Sequence, residues 1–287
     1  MRIVILGAQG NLGQQLVTVF KSNTLNEVIG WDKGEIDITD QGLVKKKIAD
    51  LKPNVIINAV AYNAVDQMES DEGFELAKKL NATAVGYIAQ AALDNNAVIV
   101  HYSTDYVFAG DKTEGYTESD QPSPISRYGE SKLMGEQEII RLSGRGLKWY
   151  LIRTSKLFGP KGESEVAKPS FFDVMRKLGE EKKELEIVDE EMSCFTYTPD
   201  LAAQTKEIVE GDYGYGIYHV VNSKPVTWFQ AAQFMFRQIG NKIKLIPVSS
   251  EKFPRPAKRP KYSVLVSTKL KKMRSYQDAL KEYLSIK

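Results

Sequence analysis

Arg2-Ile3-Val4-Ile5-Leu6-Gly7-Ala8-Gln9-Gly10-Asn11-Leu12-Gly13 is the stretch that decides the fold of this 287-residue chain. A strand-like apolar run passes directly into a glycine-rich turn, and the turn opens an amphipathic segment over 12–21. Glycine is required where a backbone turns tightly, lets a phosphate approach, or packs closely against a sheet. The helix that follows offers unpaired N–H groups and the positive end of its dipole to an anion. The spacing is G-x-x-G-x-x-G rather than G-x-G-x-x-G. Its place after a first strand predicts a nucleotide phosphate site made by Gly7, Gly10, Asn11, Leu12 and Gly13.

Outward from that turn, apolar runs at 2–6, 27–31, 54–60, 97–102 and 149–153 alternate with helical patterns at 12–21, 41–51, 72–94 and 127–142. Several of the runs are nearly all apolar, as in strands buried on both faces of a parallel sheet. Strand and helix in alternation predict an α/β doubly wound fold. The rhythm breaks after Arg153. A loop is expected over 156–170, a helix over 171–181 and strands at 185–188 and 218–221. A helix over 228–239 and a Pro- and Lys/Arg-rich loop over 253–261 follow. Residues 1–155 therefore read as a dinucleotide-binding domain. Residues 156–287 read as a smaller domain, mainly for substrate, that returns to the main sheet once near 187–222.

Composition narrows the function classes. With 42% hydrophobic and 26% charged residues, the chain has the balance of a soluble globular protein. A net charge of +2 lacks the basic excess of a nucleic-acid binder, so no nucleic-acid partner is expected. One cysteine, Cys194, cannot form an internal disulfide, and two histidines leave little for a transition metal, so no metal is expected. No apolar stretch approaches the ~18 residues that span a bilayer, and no signal peptide precedes the first strand. A cytoplasmic protein with no membrane partner is the expectation.

Asp32 ends the second strand, where a carboxylate accepts hydrogen bonds from an adenosine ribose. Lys33 beside it can pair with a 2′-phosphate, so both NADH and NADPH stay open. Asp37 and Ile38 follow, in position to flank an adenine. Further on, Tyr128-Gly129-Glu130-Ser131-Lys132 puts a tyrosine and a lysine on one helical face. Reduction of a carbonyl needs such a pair, because the oxygen must gain a proton as hydride reaches carbon. A neighbouring ammonium is expected to lower the phenol pKa from its ordinary value of roughly 10. Lys132 can also hold a nicotinamide ribose. In Tyr102-Ser103-Thr104-Asp105-Tyr106-Val107-Phe108, Thr104 stands at the carboxyl end of a central strand and can donate to the developing alkoxide.

Taken together, the glycine turn, the Ser-Thr-Asp-Tyr-Val-Phe run and the Tyr-x-x-x-Lys helix resemble the extended short-chain dehydrogenase/reductase family. Asn58-Ala59-Val60-Ala61-Tyr62, Ala64-Val65-Asp66 and Leu80-Asn81-Ala82-Thr83 are similar to that family's third strand, following loop and interior helix. Gly216-Ile217-Tyr218-His219 and Arg259-Pro260-Lys261-Tyr262-Ser263-Val264-Leu265 resemble its dTDP-4-dehydrorhamnose reductase branch. The resemblance runs almost end to end. It implies a Rossmann fold with a smaller C-terminal substrate-binding domain, and NAD(P)H reduction of a 4-keto-6-deoxy sugar on a nucleoside diphosphate. Thr104, Tyr128 and Lys132 would be catalytic, and Ala59, Ala61 and Tyr62 would join the cofactor site. Asp105, Tyr106 and Arg259 would bind the nucleotide-sugar substrate together with Thr104 and Tyr128; a homodimer is left open. Dehydratases of the family carry Asp-Glu after the threonine, where this chain has Asp105-Tyr106.

Three departures from the branch pattern fall on the substrate side. Lys156 replaces a tryptophan, Ser170 an asparagine, and Ser193-Cys194-Phe195-Thr196 a Gly-Ser-Pro-Thr segment. Surface lysines far outnumber buried ones, so Lys156 is expected to face solvent. His101 and His219 are expected in the core, and the acidic residues of 180–191 on a solvated surface. Two other readings remain: a non-catalytic regulatory subunit of the methionine adenosyltransferase beta type, and an epimerase or other enzyme of the extended family.

Overall fold

The computed structural model describes residues 1–165 and 167–286. Val166, within the expected 156–170 loop, and Lys287 lie outside the described residues. The first strand, β1 (Arg2–Leu6), leads into α1 (Asn11–Lys21), and β2 (Glu27–Trp31), α2 (Gln41–Leu51) and β3 (Val55–Asn58) follow. Next come α3 (Asp71–Lys78), a π-helical turn (Lys79–Thr83) and α4 (Ala84–Asp94), then β4 (Val98–Thr104), α5 (Arg127–Ser143) and β5 (Lys148–Thr154).

The second part runs through β6 (Leu157–Phe158), α6 (Phe171–Glu181), β7 (Glu184–Val188), β8 (Thr196–Tyr197) and α7 (Thr198–Glu210). It continues with β9 (Gly216–His219), α8 (Trp228–Gln238), β10 (Lys244–Val248) and α9 (Tyr276–Ser285). Six strands form one parallel sheet in the order β2-β1-β3-β4-β5-β9. Strand order reverses at β1, so a crevice opens between β1 and β3 at their carboxyl ends, where doubly wound sheets take ligands.

Both faces of this sheet are covered. Val4, Leu6, Ile56 and Ile99 pack with α2 and α4, while Ile3, Ile5, Ile57 and Ile152 pack with α1 and α7. That burial explains the unbroken apolar strands. A separate core joins Phe158, Phe172, Phe195, Tyr197, Phe236 and Tyr283, and holds α6, α8 and α9 over the parallel pairs β10-β7 and β6-β8. Among the described residues no helix is long and apolar enough to cross a membrane.

Several elements differ from the sequence expectation. Strand β3 is shorter, because Ala59 and Val60 already leave the ladder toward the ligand crevice. Helices α7 and α9 and strands β8 and β10 were not expected. Helix α7 carries Pro199 in its first turn and buries Leu201, Ala202, Thr205 and Ile208 on one face. Its polar residues hide that stripe in a plain hydrophobicity reading. Strand β6, two residues long, lies inside the expected 156–170 loop.

Candidate active site

The glycine turn is shaped by close packing. Gly7 has φ of +77°, a left-handed conformation that glycine adopts without a Cβ clash, and its N–H donates to Trp31 O at 2.8 Å. A Cβ on Gly13 would overlap the Gly7 carbonyl oxygen. Gly10 caps α1 with no side-chain hydrogen bond, and no acidic side chain occupies the first turn. No side chain therefore caps the first N–H groups of α1, a donor set that fits a dinucleotide pyrophosphate, although the Gly162 backbone packs against Gly10 and Asn11. Asp32 takes N–H groups from Gln9 at 3.0 Å and Lys33 at 2.8 Å, tying the turn to the end of β2. Asp37 accepts the Thr39 hydroxyl and N–H, which hold its carboxyl below the ordinary range, with Lys79 and Lys33 adding to them. The Ile38 side chain is in the core, so a ligand there meets only its main chain.

The loop after β6 crosses this turn. Gly162 N donates to Asn11 Oδ1 at 2.8 Å, Ser164 N to Gln9 O at 3.0 Å, and Asn11 Nδ2 to Lys168 O at 3.0 Å.

Thr104 ends β4 and accepts the Tyr106 N–H at 3.2 Å. Helix α5 begins at the Ser126 cap, which accepts the Gly129 N–H at 3.3 Å. A Cβ on Gly129 would overlap the Tyr106 carbonyl oxygen, so glycine lets the helix start against the 105–107 turn. This contact brings Tyr128 to Thr104, and the Tyr106 and Tyr128 rings meet edge to face at 5.6 Å. Lys132 sits one turn further, buried. The π-helical turn places Asn81 between Tyr62 and α5. Asn81 Oδ1 accepts Tyr62 N at 2.8 Å, and its Nδ2 contacts Tyr62 O at 2.9 Å and Ser131 Oγ at 3.0 Å. A Cβ on Gly135 would overlap the Asn81 carbonyl oxygen. Such single-turn bulges recur at functional sites.

The electrostatics correct one expectation. Burial pushes the Tyr128 phenol up to about 12; the Thr104 hydroxyl opposes this and the Asp105 carboxylate adds to it. Burial also brings the Lys132 ammonium down to about 8, against the pull of Glu136. Burial, rather than a neighbouring ammonium, sets the direction of the Tyr128 shift here.

The substrate-side wall corrects two more. Lys156 turns inward: its Nζ lies 3.6 Å from the Trp228 ring centroid and 5.3 Å from that of Phe195. Burial lowers its ammonium to about 7, with Asp105 and Glu191 pulling it upward. Glu191 is buried rather than solvated; it accepts Trp228 Nε1 at 2.9 Å and pairs with Arg255. Asp105, also buried, accepts Ser263 Oγ at 2.6 Å and Thr104 Oγ1 at 3.1 Å. Arg259 grips Asp66 with both terminal nitrogens, Nη2 at 2.7 Å from Oδ2.

A family model described as the RmlD substrate binding domain matches residues 1–286. The chain belongs to this family. A dTDP-4-dehydrorhamnose reductase of Aggregatibacter actinomycetemcomitans is 35% identical over 94% of this chain and 92% of its own length. The crystal structure of a dTDP-4-dehydrorhamnose reductase from Clostridium acetobutylicum has a TM-score of 0.91 and 37% identity. It covers 100% of this chain and 99% of that one. A dTDP-4-dehydrorhamnose reductase from Bacillus anthracis, solved with NADP, has a TM-score of 0.90 at 33% identity, with the same coverage.

Within this RmlD-family chain, the expected cofactor residues after β1, β2 and β3 and the residues Thr104, Tyr128 and Lys132 all border the carboxyl ends of one sheet. Sequence reasoning missed Glu191, Trp228, Glu136 and Ser263. Ser263 reaches Asp105 because Tyr262 N pairs with Gly110 O at 3.0 Å and Ser263 N with Met192 O at 2.9 Å. No local pattern carries that long-range threading.

Proposed function

We propose that this chain is an NAD(P)H-dependent reductase of the 4-keto group of a 6-deoxy sugar carried on dTDP. The observation that carries the reading is the meeting of Thr104 and Tyr128 at the carboxyl end of β4, in the sheet whose first strand leads into the glycine turn. The free N–H groups of Asn11, Leu12 and Gly13 would hold the pyrophosphate, with Asp32 and Lys33 beside the adenosine ribose and Ala59, Ala61 and Tyr62 flanking the cofactor. When bound, the reduced nicotinamide supplies a hydride to the keto carbon. Thr104 would turn its one hydroxyl proton from Asp105 to the keto oxygen and so stabilise the growing negative charge. Tyr128 passes its phenolic proton to that oxygen, and a phenol held near 12 stays protonated until the alkoxide forms. Lys132 holds the nicotinamide ribose.

Residues 1–155 would thus serve the cofactor and the remainder mainly the sugar nucleotide. A shallow surface cleft bordered by Phe171, Val188, Trp228, Phe253, Arg255 and Glu186 would take a flat base on its apolar wall. Arg259 would reach the diphosphate by exchanging the Asp66 carboxylate for a phosphate oxygen. The reading places the enzyme in the cytoplasm, with a soluble nucleotide sugar as its partner. Loss of NADPH or NADH absorbance on adding dTDP-4-keto-6-deoxy-L-mannose tests it. A protein that binds nicotinamide nucleotide but oxidises neither form with any keto sugar would instead be a regulatory subunit.

A further inference from the structure

Tyr128, Lys132 and Glu136 follow one another at steps of four along α5, so they share one face of the helix, with neighbouring Cβ atoms about 5–6 Å apart. Lys132 and Glu136 are both buried in that face. An ammonium and a carboxylate so placed, away from water, would be expected to pair with each other. They do not. Both oxygens of Glu136 go to Arg153 on β5, Oε1 accepting Nε at 3.0 Å and Oε2 accepting Nη2 at 2.6 Å. Lys132 makes no hydrogen bond or ion pair among the described residues.

Arg153 is fixed in this role by its surroundings. It stands near the carboxyl end of β5, in register between Ser103 of β4 and His219 of β9. Its guanidinium lies over the Phe108 ring at 5.1 Å, and the whole side chain is buried. A planar fork that meets both carboxylate oxygens is a geometry that a lysine cannot supply, so Glu136 takes Arg153 in preference to Lys132.

We propose that Arg153 is a positioning residue for the cofactor: by taking both oxygens of Glu136, it keeps the Lys132 ammonium unpaired and available to the hydroxyls of the nicotinamide ribose. The proposal rests on the reading of Lys132 as the residue that holds that ribose. Without Arg153, Glu136 would be a buried anion with no partner, and Lys132, one turn away on the same face, would close on it. A lysine drawn to Glu136 is lost to the ribose. Even when matched by Arg153, the Glu136 carboxylate strengthens the hold of Lys132 on its proton, against the effect of burial.

The test titrates NADPH and NADH into the protein by calorimetry, with no sugar present, so it does not depend on turnover. Arg153→Met should weaken dinucleotide binding about ten- to a hundredfold, as loss of a hydrogen bond from a charged group does. Adding Glu136→Gln removes the competing anion, and binding should return to within about threefold of the parent. In a Lys132→Met background, Arg153→Met should cause no further loss, because its effect passes through that ammonium. A residue that only holds the fold together would show neither the rescue nor the dependence on Lys132. Parent-like binding by a folded Arg153→Met overturns the proposal, as does a double variant with Glu136→Gln that binds as weakly as Arg153→Met alone. An equal loss from Arg153→Met with and without Lys132 overturns it too. If Arg153→Met fails to fold, Arg153→Gln, which keeps a donor but no charge, takes its place in each comparison. A parent that binds neither dinucleotide removes the cofactor reading as well, whereas binding without these differences removes the proposal alone.

Discussion

Glu136 holds Arg153 through two hydrogen bonds, 3.0 Å to Nε and 2.6 Å to Nη2, with both side chains withdrawn from solvent. The pair joins α5 to β5 one helical turn beyond Lys132. Arg153 also lies over the Phe108 ring at 5.1 Å, and its Nη1 has no hydrogen-bond partner among the described residues. Glu136→Gln would leave a buried guanidinium uncompensated. Breaking such a pair from one side costs about 3–5 kcal/mol. Urea unfolding should show a loss of that size, and a loss below about 1 kcal/mol would mean that Arg153 finds another partner.

Tyr128→Phe removes the proton donor while keeping the ring that packs on Tyr106. Turnover should fall by ~10²–10⁴ with cofactor affinity nearly intact, because the phenol acts in the transition state rather than on the dinucleotide. Steady-state kinetics and a cofactor titration separate the two effects. Unchanged turnover removes Tyr128 from the chemistry.

What was legible in the sequence follows from how local each signal is. The parallel strands announce themselves because both their faces are buried, and α1, α2, α4 and α5 each carry one stripe toward them. The glycine turn and the Tyr128/Lys132 spacing are equally local. Lys156 was misread because a lysine's average exposure says nothing of a left-handed turn that aims it at Trp228. Glu191 was misread because its partners, Trp228 and Arg255, lie 37 and 64 residues away. The Tyr128 pKa was misjudged because charge proximity can be guessed from spacing, whereas burial cannot.

Two glycines of the first turn should respond differently to substitution. A Cβ on Gly13 would overlap the Gly7 carbonyl oxygen, and backbone cannot step aside. A Cβ on Gly10 meets only Gly7 O at 3.2 Å, within the space where a phosphate would come. Gly13→Ala should therefore lower the melting temperature and abolish cofactor binding together. Gly10→Val should fold near the parent's stability and still lose binding by calorimetry. Normal binding by Gly10→Val would leave the turn with a structural role alone.

Acid should destabilise the protein through its buried histidines before its carboxylates take part. His219 contacts the Tyr116 and Val266 carbonyls at 3.1 Å through Nδ1, so that nitrogen carries the proton of a neutral ring. Burial lowers its pKa from 6.5 to about 4, against the attraction of Glu118 and with some help from Arg153. Burial likewise holds His101, beside Lys132, well below its ordinary value. Between pH 6.5 and 4 the unfolded chain binds protons that the folded chain refuses. The histidine contribution is thus complete above 6.5 and falls as pH drops, by about 1.4 kcal/mol per pH unit for each histidine fully engaged. Asp105, raised by burial, works in the opposite direction, whereas depressed carboxyls such as Asp120, at about 2, contribute only at lower pH. Urea unfolding at half-unit steps from pH 7 to 4.5 should give a positive slope of stability against pH. In His219→Asn the amide N–H can replace the Nδ1 donor without titrating, and the slope should fall by up to one proton. A flat parent profile across that range would mean that the buried rings take up protons without unfolding.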